Sequence, residues 1–311
     1  MLDEPTNRGE LGRREFMGHA ALAGALAAGI DTFARPGRVA LAAPARALRK
    51  TLKFGMVKAE AADGRKLNVE ERLSIAKQAG FESVEPDTVF DDTELKAMKT
   101  AADKVGIHID AFVCSTHWSS PLSDPDPAVW EKTMEGMRVS IQNARDVGAD
   151  MVLLVPAVVT PQVMYRDAYA RAVERTKQLA KDAAKAKITI GIENVWNKFL
   201  LSPLEGKKFI EDIDSDSVKF WFDIGNVVLF GYPQDWIRTL GPLIARVDIK
   251  DFDAKARQFV PLQEGSVDWP ETMRALDEIG YKGYIAAEVQ GGDLAYLTET
   301  VSKRMDAIFA G

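Results

Sequence analysis

The sequence predicts an α/β fold, a single (β/α)8 barrel, from three observations. Short β-branched or aromatic runs alternate with longer helical patterns, the runs number eight, and each is followed by a helix of its own. In chain order the expected strands cover 52–57, 81–85, 107–113, 151–155, 189–193, 219–223, 245–250 and 284–288. The helices between and after them cover 69–79, 93–105, 128–147, 167–186, 204–213, 234–240, 269–279 and 294–309. Glycine marks several returns from helix to strand: Gly80 precedes Phe81, Gly106 precedes Ile107, Gly148 stands just before Met151, and Gly280 comes before Tyr284. This is the repeated placement of a helix stop. No Gly-x-Gly-x-x-Gly follows the first strand, which weighs against an open dinucleotide-binding sheet. Nothing marks a second domain, so the barrel is expected to span 51–311.

Length agrees, since 311 residues accommodate one barrel of about 250 with an extension. A hydrophobic fraction of 46% and a charged fraction of 28% place the chain among globular proteins and exclude a disordered or collagen-like one. The single cysteine, Cys114, forms no internal disulfide. Net charge is −6, but the first 50 residues hold eight Lys/Arg against five Asp/Glu, which leaves 32 against 41 in the rest. An acidic body of this kind is a poor partner for nucleic acid, whose backbone is gripped by basic surface.

Residues 1–43 read as an export signal rather than as structure. Arg13-Arg14-Glu15-Phe16-Met17 has the twin-arginine pattern, an Ala/Gly-rich weakly apolar stretch follows, and Ala40-Leu41-Ala42 offers a small-x-small cleavage site. His19 and Asp31 interrupt the apolar run, so it is not a permanent membrane span. The expectation is a folded protein exported to the periplasm or beyond.

In a barrel of this type the active site forms where the strands end. The expected strands end near Lys58, at Glu85, at Cys114 to His117, at Glu193-Asn194, at Asp223, at Asp248 to Lys250 and at Glu288. Four carboxylates stand out on these strands: Glu193 follows Ile190-Gly191-Ile192, Asp223 follows Phe220-Trp221-Phe222, Asp248 lies inside Ala245-Arg246-Val247 and Ile249, and Glu288 follows Ile285-Ala286-Ala287. Converging buried acids must be protonated, paired or metal-bound. A divalent cation with oxygen ligands is the simplest answer.

Longer motifs surround these acids. Gly191-Ile192-Glu193-Asn194-Val195-Trp196-Asn197-Lys198-Phe199-Leu200-Leu201-Ser202-Pro203 is followed by Phe222-Asp223-Ile224-Gly225-Asn226, Arg246-Val247-Asp248-Ile249-Lys250-Asp251-Phe252, Gly265-Ser266-Val267-Asp268-Trp269 and Ala287-Glu288. In these stretches the chain resembles the xylose-isomerase-like barrels, which include sugar-phosphate isomerases and epimerases, ketose 3-epimerases and endonuclease IV, and most of all the L-ribulose-5-phosphate (L-xylulose-5-phosphate) 3-epimerase type. The resemblance implies one metal ion held by Glu193, Asp223, Asp248 and Glu288. It departs at Asp248, where the family carries His before x-Lys-Asp. An all-oxygen site of formal charge near −4 suits Mn²⁺, Mg²⁺ or Ca²⁺ better than Zn²⁺. Strand parity points Asp248 and Lys250 the same way, so Lys250 is expected to pair with Asp248.

The resemblance further implies that Glu193 and Glu288 flank a ketose and move its proton through an enediolate, giving epimerisation or, with return to the neighbouring carbon, isomerisation. Glu85, His117, Trp118, Trp196 and Lys250 are the candidate substrate contacts. Glu85 also has a simpler role, pairing with Lys58, and His108 belongs to the opposite barrel end. Three alternatives stay open: a 3-keto-glycoside lyase or hydrolase on the same barrel, a non-catalytic sugar-binding barrel that has lost its metal, and either a phosphorylated or a neutral substrate. Gln263-Glu264-Gly265-Ser266 and Gln290-Gly291-Gly292-Asp293 offer glycines to a phosphate but acids against it. The endonuclease reading fails on the acidic body and on the scarcity of histidine. A homo-oligomer is an open expectation.

Overall fold

Eight parallel strands close into a ring with their helices packed outside it. The computed structural model describes residues 46–311, so the export-signal assignment of 1–43 lies outside the described residues. The strands are β1 (Leu48–Lys53), β2 (Ser83–Glu85), β3 in two pieces (His108–Ile109 and Ala111–Val113), β4 (Met151–Leu154), β5 (Thr189–Glu193), β6 (Val218–Asp223), β7 (Ile244–Ile249) and β8 (Gly283–Ala287). Each pairs in parallel with its sequence neighbours and β8 pairs with β1. Strand β3 is the seam: His108–Ile109 pairs with β2, while Ala111–Val113 pairs with β4.

The first strand differs from its expected position. Apolar Leu52 to Val57 reads as a strand, but the ladder ends at Lys53, and Phe54–Met56 curls into a 3-10 turn. The cause is partner length: β1 is set by β8 and β2, whose register with it stops at Leu52 and Lys53. The last expected helix, 294–309, is also divided. A π-helical stretch, Leu297–Ser302, leads into Lys303–Ala310, and the Thr298 hydroxyl donates to the Leu294 carbonyl at 2.7 Å, taking up an acceptor of the regular ladder. A hairpin, Asp251–Asp253 with Gln258–Val260, rises from the end of β7. It lies in a polar stretch with no strand pattern in the sequence.

Helix boundaries follow local chemistry. Asn68, Asp91, Asp126, Ser202 and Asp268 each cap a helix by accepting from its first-turn amides. Gly80, Gly106, Gly148 and Gly280 all adopt the left-handed backbone expected of stops, and Lys187 and Asp214 take the same conformation where no glycine is available. Among the described residues, no helix is long and apolar enough to cross a membrane.

Two cores result. The larger lies between the strands' outward faces and the helices, where Phe220 and Phe222 pack on Trp236 of the helix Pro233–Leu240. The smaller fills the ring itself with Ala111, Met151, Leu153, Val155 and Trp221. Gly191 makes the second possible: a Cβ there would come within 2.7 Å of the Trp221 ring. At the ring's lower end Arg246 reaches across to Asp110, at 2.7 Å, and to Asp150, at 2.8 Å. Asp110 also accepts from Thr51, at 2.8 Å, and from Ser83.

Candidate active site

Strand period two sends alternate residues into the ring, and their last inward members meet at its C-terminal end. Glu193 ends β5, Asp223 ends β6, Asp248 is the inward residue of β7 paired with Asp223, and Glu288 follows β8. Oxygens of these four carboxylates lie within 4.8 Å of one another. The structure thus brings together all four acids picked out in the sequence.

Lys250 bridges two of them. Its ammonium lies 2.8 Å from Glu288 and 3.1 Å from Asp223. The expected Lys250–Asp248 pair is therefore corrected: Lys250 stands one inward position above Asp248 and reaches the upper acids. Gly225 lets it through, since a Cβ there would fall 2.5 Å from the Lys250 side chain and 2.7 Å from its carbonyl. Asp248 instead pairs with Lys53 at 3.0 Å on one oxygen and accepts from the Trp221 indole at 2.7 Å on the other. The Lys53 pair is a close charge contact whose angle falls short of a hydrogen bond, leaving Asp248 Oδ2 buried without one.

Lys53 also donates to Glu85 at 2.6 Å and lies 4.4 Å from the centre of the Trp221 ring. The suggested Glu85–Lys58 pair is thus a second correction, with the same origin as the shift of β1. Ending the strand at Lys53 points that lysine into the ring, whereas Lys58 lies outside, 3.9 Å from Asp293.

The motif residues interlock around Asp223. Asn194 accepts from the Asp223 amide and donates to its carbonyl, both at 2.9 Å, and Asn226 donates to the Asn194 carbonyl at 2.9 Å. One Asp223 oxygen caps the short helix Ile224–Val227 by accepting from the Asn226 amide at 2.6 Å; the other, buried and without a hydrogen bond, faces the cluster. Asp251 is a scaffold rather than a site residue. It accepts from the amides of Phe252, Gln263, Gly265 and Val267 and from the Trp269 indole, tying the Lys250-Asp251-Phe252 motif to Gly265–Trp269.

The acids respond differently to their surroundings. Burial, reinforced by Glu288 and Asp248, drives Glu193 well above the ordinary carboxylate range. Burial pushes Asp223 up to about 8 against the pull of Lys250, and Glu85 up to about 8 against Lys53. Asp248 is also raised by burial. For Glu288, burial is outweighed by Lys250 and Lys53 together, which hold it below the usual value. With Glu85, which shares Lys53, five acids and two lysines leave the cluster formally at −3, with orphaned buried oxygens on Asp223 and Asp248. An all-oxygen donor set with that deficit fits one hard divalent cation.

His117 is buried, only 3% exposed, and it feels the charges of Lys53 and Glu288. Its Nδ1 accepts from the Val155 amide at 3.2 Å, which leaves the proton on Nε2. Burial and then Lys53 lower its pKa to about 3, so the ring is neutral. Trp118 stands beside it, edge to face at 5.9 Å and half-exposed on the rim. Trp196 is also on the rim, stacked on Phe259 at 4.8 Å and anchored by its indole to the Asn226 carbonyl at 2.9 Å. His108 begins β3 at the opposite end, as expected.

Sequence reasoning missed Lys53, Trp221 and Phe259. Lys53 sat inside the misplaced first strand, Trp221 read as one aromatic among three, and Phe259 belongs to the unforeseen hairpin. The alternation Val218 to Asp223 did carry a signal for Trp221, because it shares the parity of Asp223.

Comparison with known proteins agrees with this geometry. L-ribulose-5-phosphate 3-epimerase UlaE of Escherichia coli (strain K12) is 26% identical over 254 residues, covering 76% of this chain and 89% of that protein. Among solved structures, a D-tagatose 3-epimerase-like protein superposes with a TM-score of 0.71 at 17% identity, over 84% of this chain and 98% of that one. An L-ribulose 3-epimerase gives 0.71 at 18%, over 84% and 94%. A family model described as the xylose isomerase-like TIM barrel matches residues 73–306, and the chain belongs to that family.

Proposed function

We propose that this protein is a sugar epimerase or isomerase that binds one divalent metal ion, Mn²⁺ or Mg²⁺ before others, and acts on a carbohydrate outside the cytoplasm. The observation that carries the reading is the cluster of Glu193, Asp223, Asp248 and Glu288 at the strand ends. UlaE, named as a 3-epimerase of L-ribulose 5-phosphate, supports the reaction class. When bound by these four acids, the ion supplies a Lewis acid for a carbonyl and its neighbouring hydroxyl.

The protein's own residues do the rest. Glu193 and Glu288, on strands separated by β6 and β7, exchange the substrate's proton: one carboxylate removes it to give an enediolate and the other returns it. Lys250 keeps Glu288 and Asp223 in place and offsets their repulsion. Neutral His117 presents its Nε2–H to a sugar hydroxyl, and Trp118 and Trp196 wall the entrance. Glu85, held on Lys53, steadies Asp248 from below.

The test is exchange of substrate hydrogen for deuterium in D₂O with free ketoses and added Mn²⁺, followed by NMR. The expected result is exchange at one carbon with formation of the epimer or isomer; product formation is lost in Glu193→Gln and in Glu288→Gln, and full product formation in either variant overturns the two-carboxylate assignment. The twin-arginine assignment rests on Arg13-Arg14 and the segment after it. Replacing both arginines with lysine is expected to strand the protein in the cytoplasm, and unchanged export would refute it.

A further inference from the structure

The cluster is flanked by a second space, of about 360 Å³, between the end of β8 and the hairpin. Its floor is Lys250 and Glu288, so it opens directly from the reacting end of the barrel. Its walls include Met56, Phe259, Val260 and Tyr296. Phe259 is the hairpin's contribution: 46% exposed, it stacks on Trp196 with the rings 23° from parallel, backs edge-on against buried Phe252 at 5.3 Å, and lies 5.2 Å from the Lys250 ammonium.

Charge decides what this space accepts. Lys250 is its only cation and is already shared by Asp223 and Glu288, so an anionic group would meet the Glu288 carboxylate with no free partner. The apolar walls favour a flat, uncharged group. The wider surface agrees: all nine large hydrophobic side chains exposed among the described residues lie in segments following strands or in the first turn of the next helix, Trp118, Trp196, Tyr232 and Phe259 among them.

We propose that this pocket is a second subsite, which takes an uncharged, flat-faced group joined to the reacting sugar, the aglycone or second ring of a keto-glycoside, whose ring ketone keeps the carbonyl and adjacent C–H that the enediolate step needs. Plain glycosides then serve as unreactive binding probes. The proposal rests on Glu193 and Glu288 as the reacting centre and extends the substrate beyond it. Phe259 is then a specificity residue, its ring offering the face on which that group lies.

The test is binding to the intact protein by calorimetry, with methyl and phenyl glucosides in both anomers, maltose and cellobiose as probes. At least one phenyl glucoside or disaccharide is expected to bind about tenfold more tightly than the methyl glucoside of the same anomer. The gap is expected to close in Phe259→Ala and to persist in Phe259→Tyr. A gap confined to the phenyl compounds assigns the site to an aromatic aglycone; one shared by a disaccharide assigns it to a second sugar. Equal affinities throughout, or a gap that survives Phe259→Ala, overturn the proposal. Failure of the parent reading looks different: no hydrogen exchange with any sugar, yet a Phe259-dependent gap.

Discussion

The two faces of the barrel wall have the same strands and opposite chemistry. Outward residues such as Phe220, Phe222, Val247 and Ile285 are apolar and fully buried against helices. Inward residues of the same strands include Lys53, Glu85, Arg246 and Asp248, buried nearly as completely. Apolar burial stabilises by roughly 25 cal/mol per Å², whereas a buried ion pair commonly breaks even or costs stability. The outer layer therefore holds the barrel together, and the ring's interior carries charge arranged for chemistry.

Substitutions on either face put that contrast to the test. Glu193→Gln and Glu288→Gln are expected to lower turnover by about 10³-fold or more. Replacing Glu193, which burial and like charge raise, should hold or raise the melting temperature, whereas Glu288, held below the usual value by Lys250 and Lys53, should lose some stability on becoming Gln. A fall of many degrees in Glu193→Gln would show that acid to be structural. Phe222→Ala is the mirror image, expected to cost about 3–5 kcal/mol in urea unfolding. Its folded fraction should bind metal with unchanged stoichiometry, measured by mass spectrometry.

Lys53→Met leaves Asp248 and Glu85 buried without their cation, a loss of about 3–5 kcal/mol by analogy with other broken buried pairs. Adding Asp248→Asn should restore much of it, since the amide oxygen still accepts from Trp221; strict additivity in the double-mutant cycle would refute the pairing. Gly191→Ala should cost about 1–3 kcal/mol by driving a methyl into the Trp221 ring. The smallest effect belongs to Asp248→His, which should preserve metal binding and shift preference toward softer ions. Unchanged preference in competition titrations would mean that Asp248 serves Lys53 and Trp221 rather than the ion.

How much of this the sequence discloses follows the same division. Strand β5 is expected and found at 189–193, and the four acids were legible because three end apolar runs and Asp248 sits inside a largely apolar strand, which local periodicity exposes. Lys53 was not, because its role depends on where β8 and β2 stop pairing with β1, which no local pattern records. Parity placed Lys250 and Asp248 on one face correctly but not at one height, so their partners were misassigned. The hairpin was hidden for a related reason: Asp251–Asp253 is polar because its first residue serves a backbone cradle, not because it is a loop.

The seam in β3 bears on how the ring comes to be closed. At Asp110 the two pieces of that strand turn to different neighbours, and beside the backbone bonds between Val113 and the Pro86–Thr88 segment a spoke from Arg246, on the far side of the wheel, reaches the turning point. The two ends of that spoke are 136 residues apart in the chain. Circularity is thus not a property that accumulates strand by strand during folding; it waits for a contact of very long sequence separation, the kind that slows folding most. The barrel's rim is assembled in order, and its hub is fastened late.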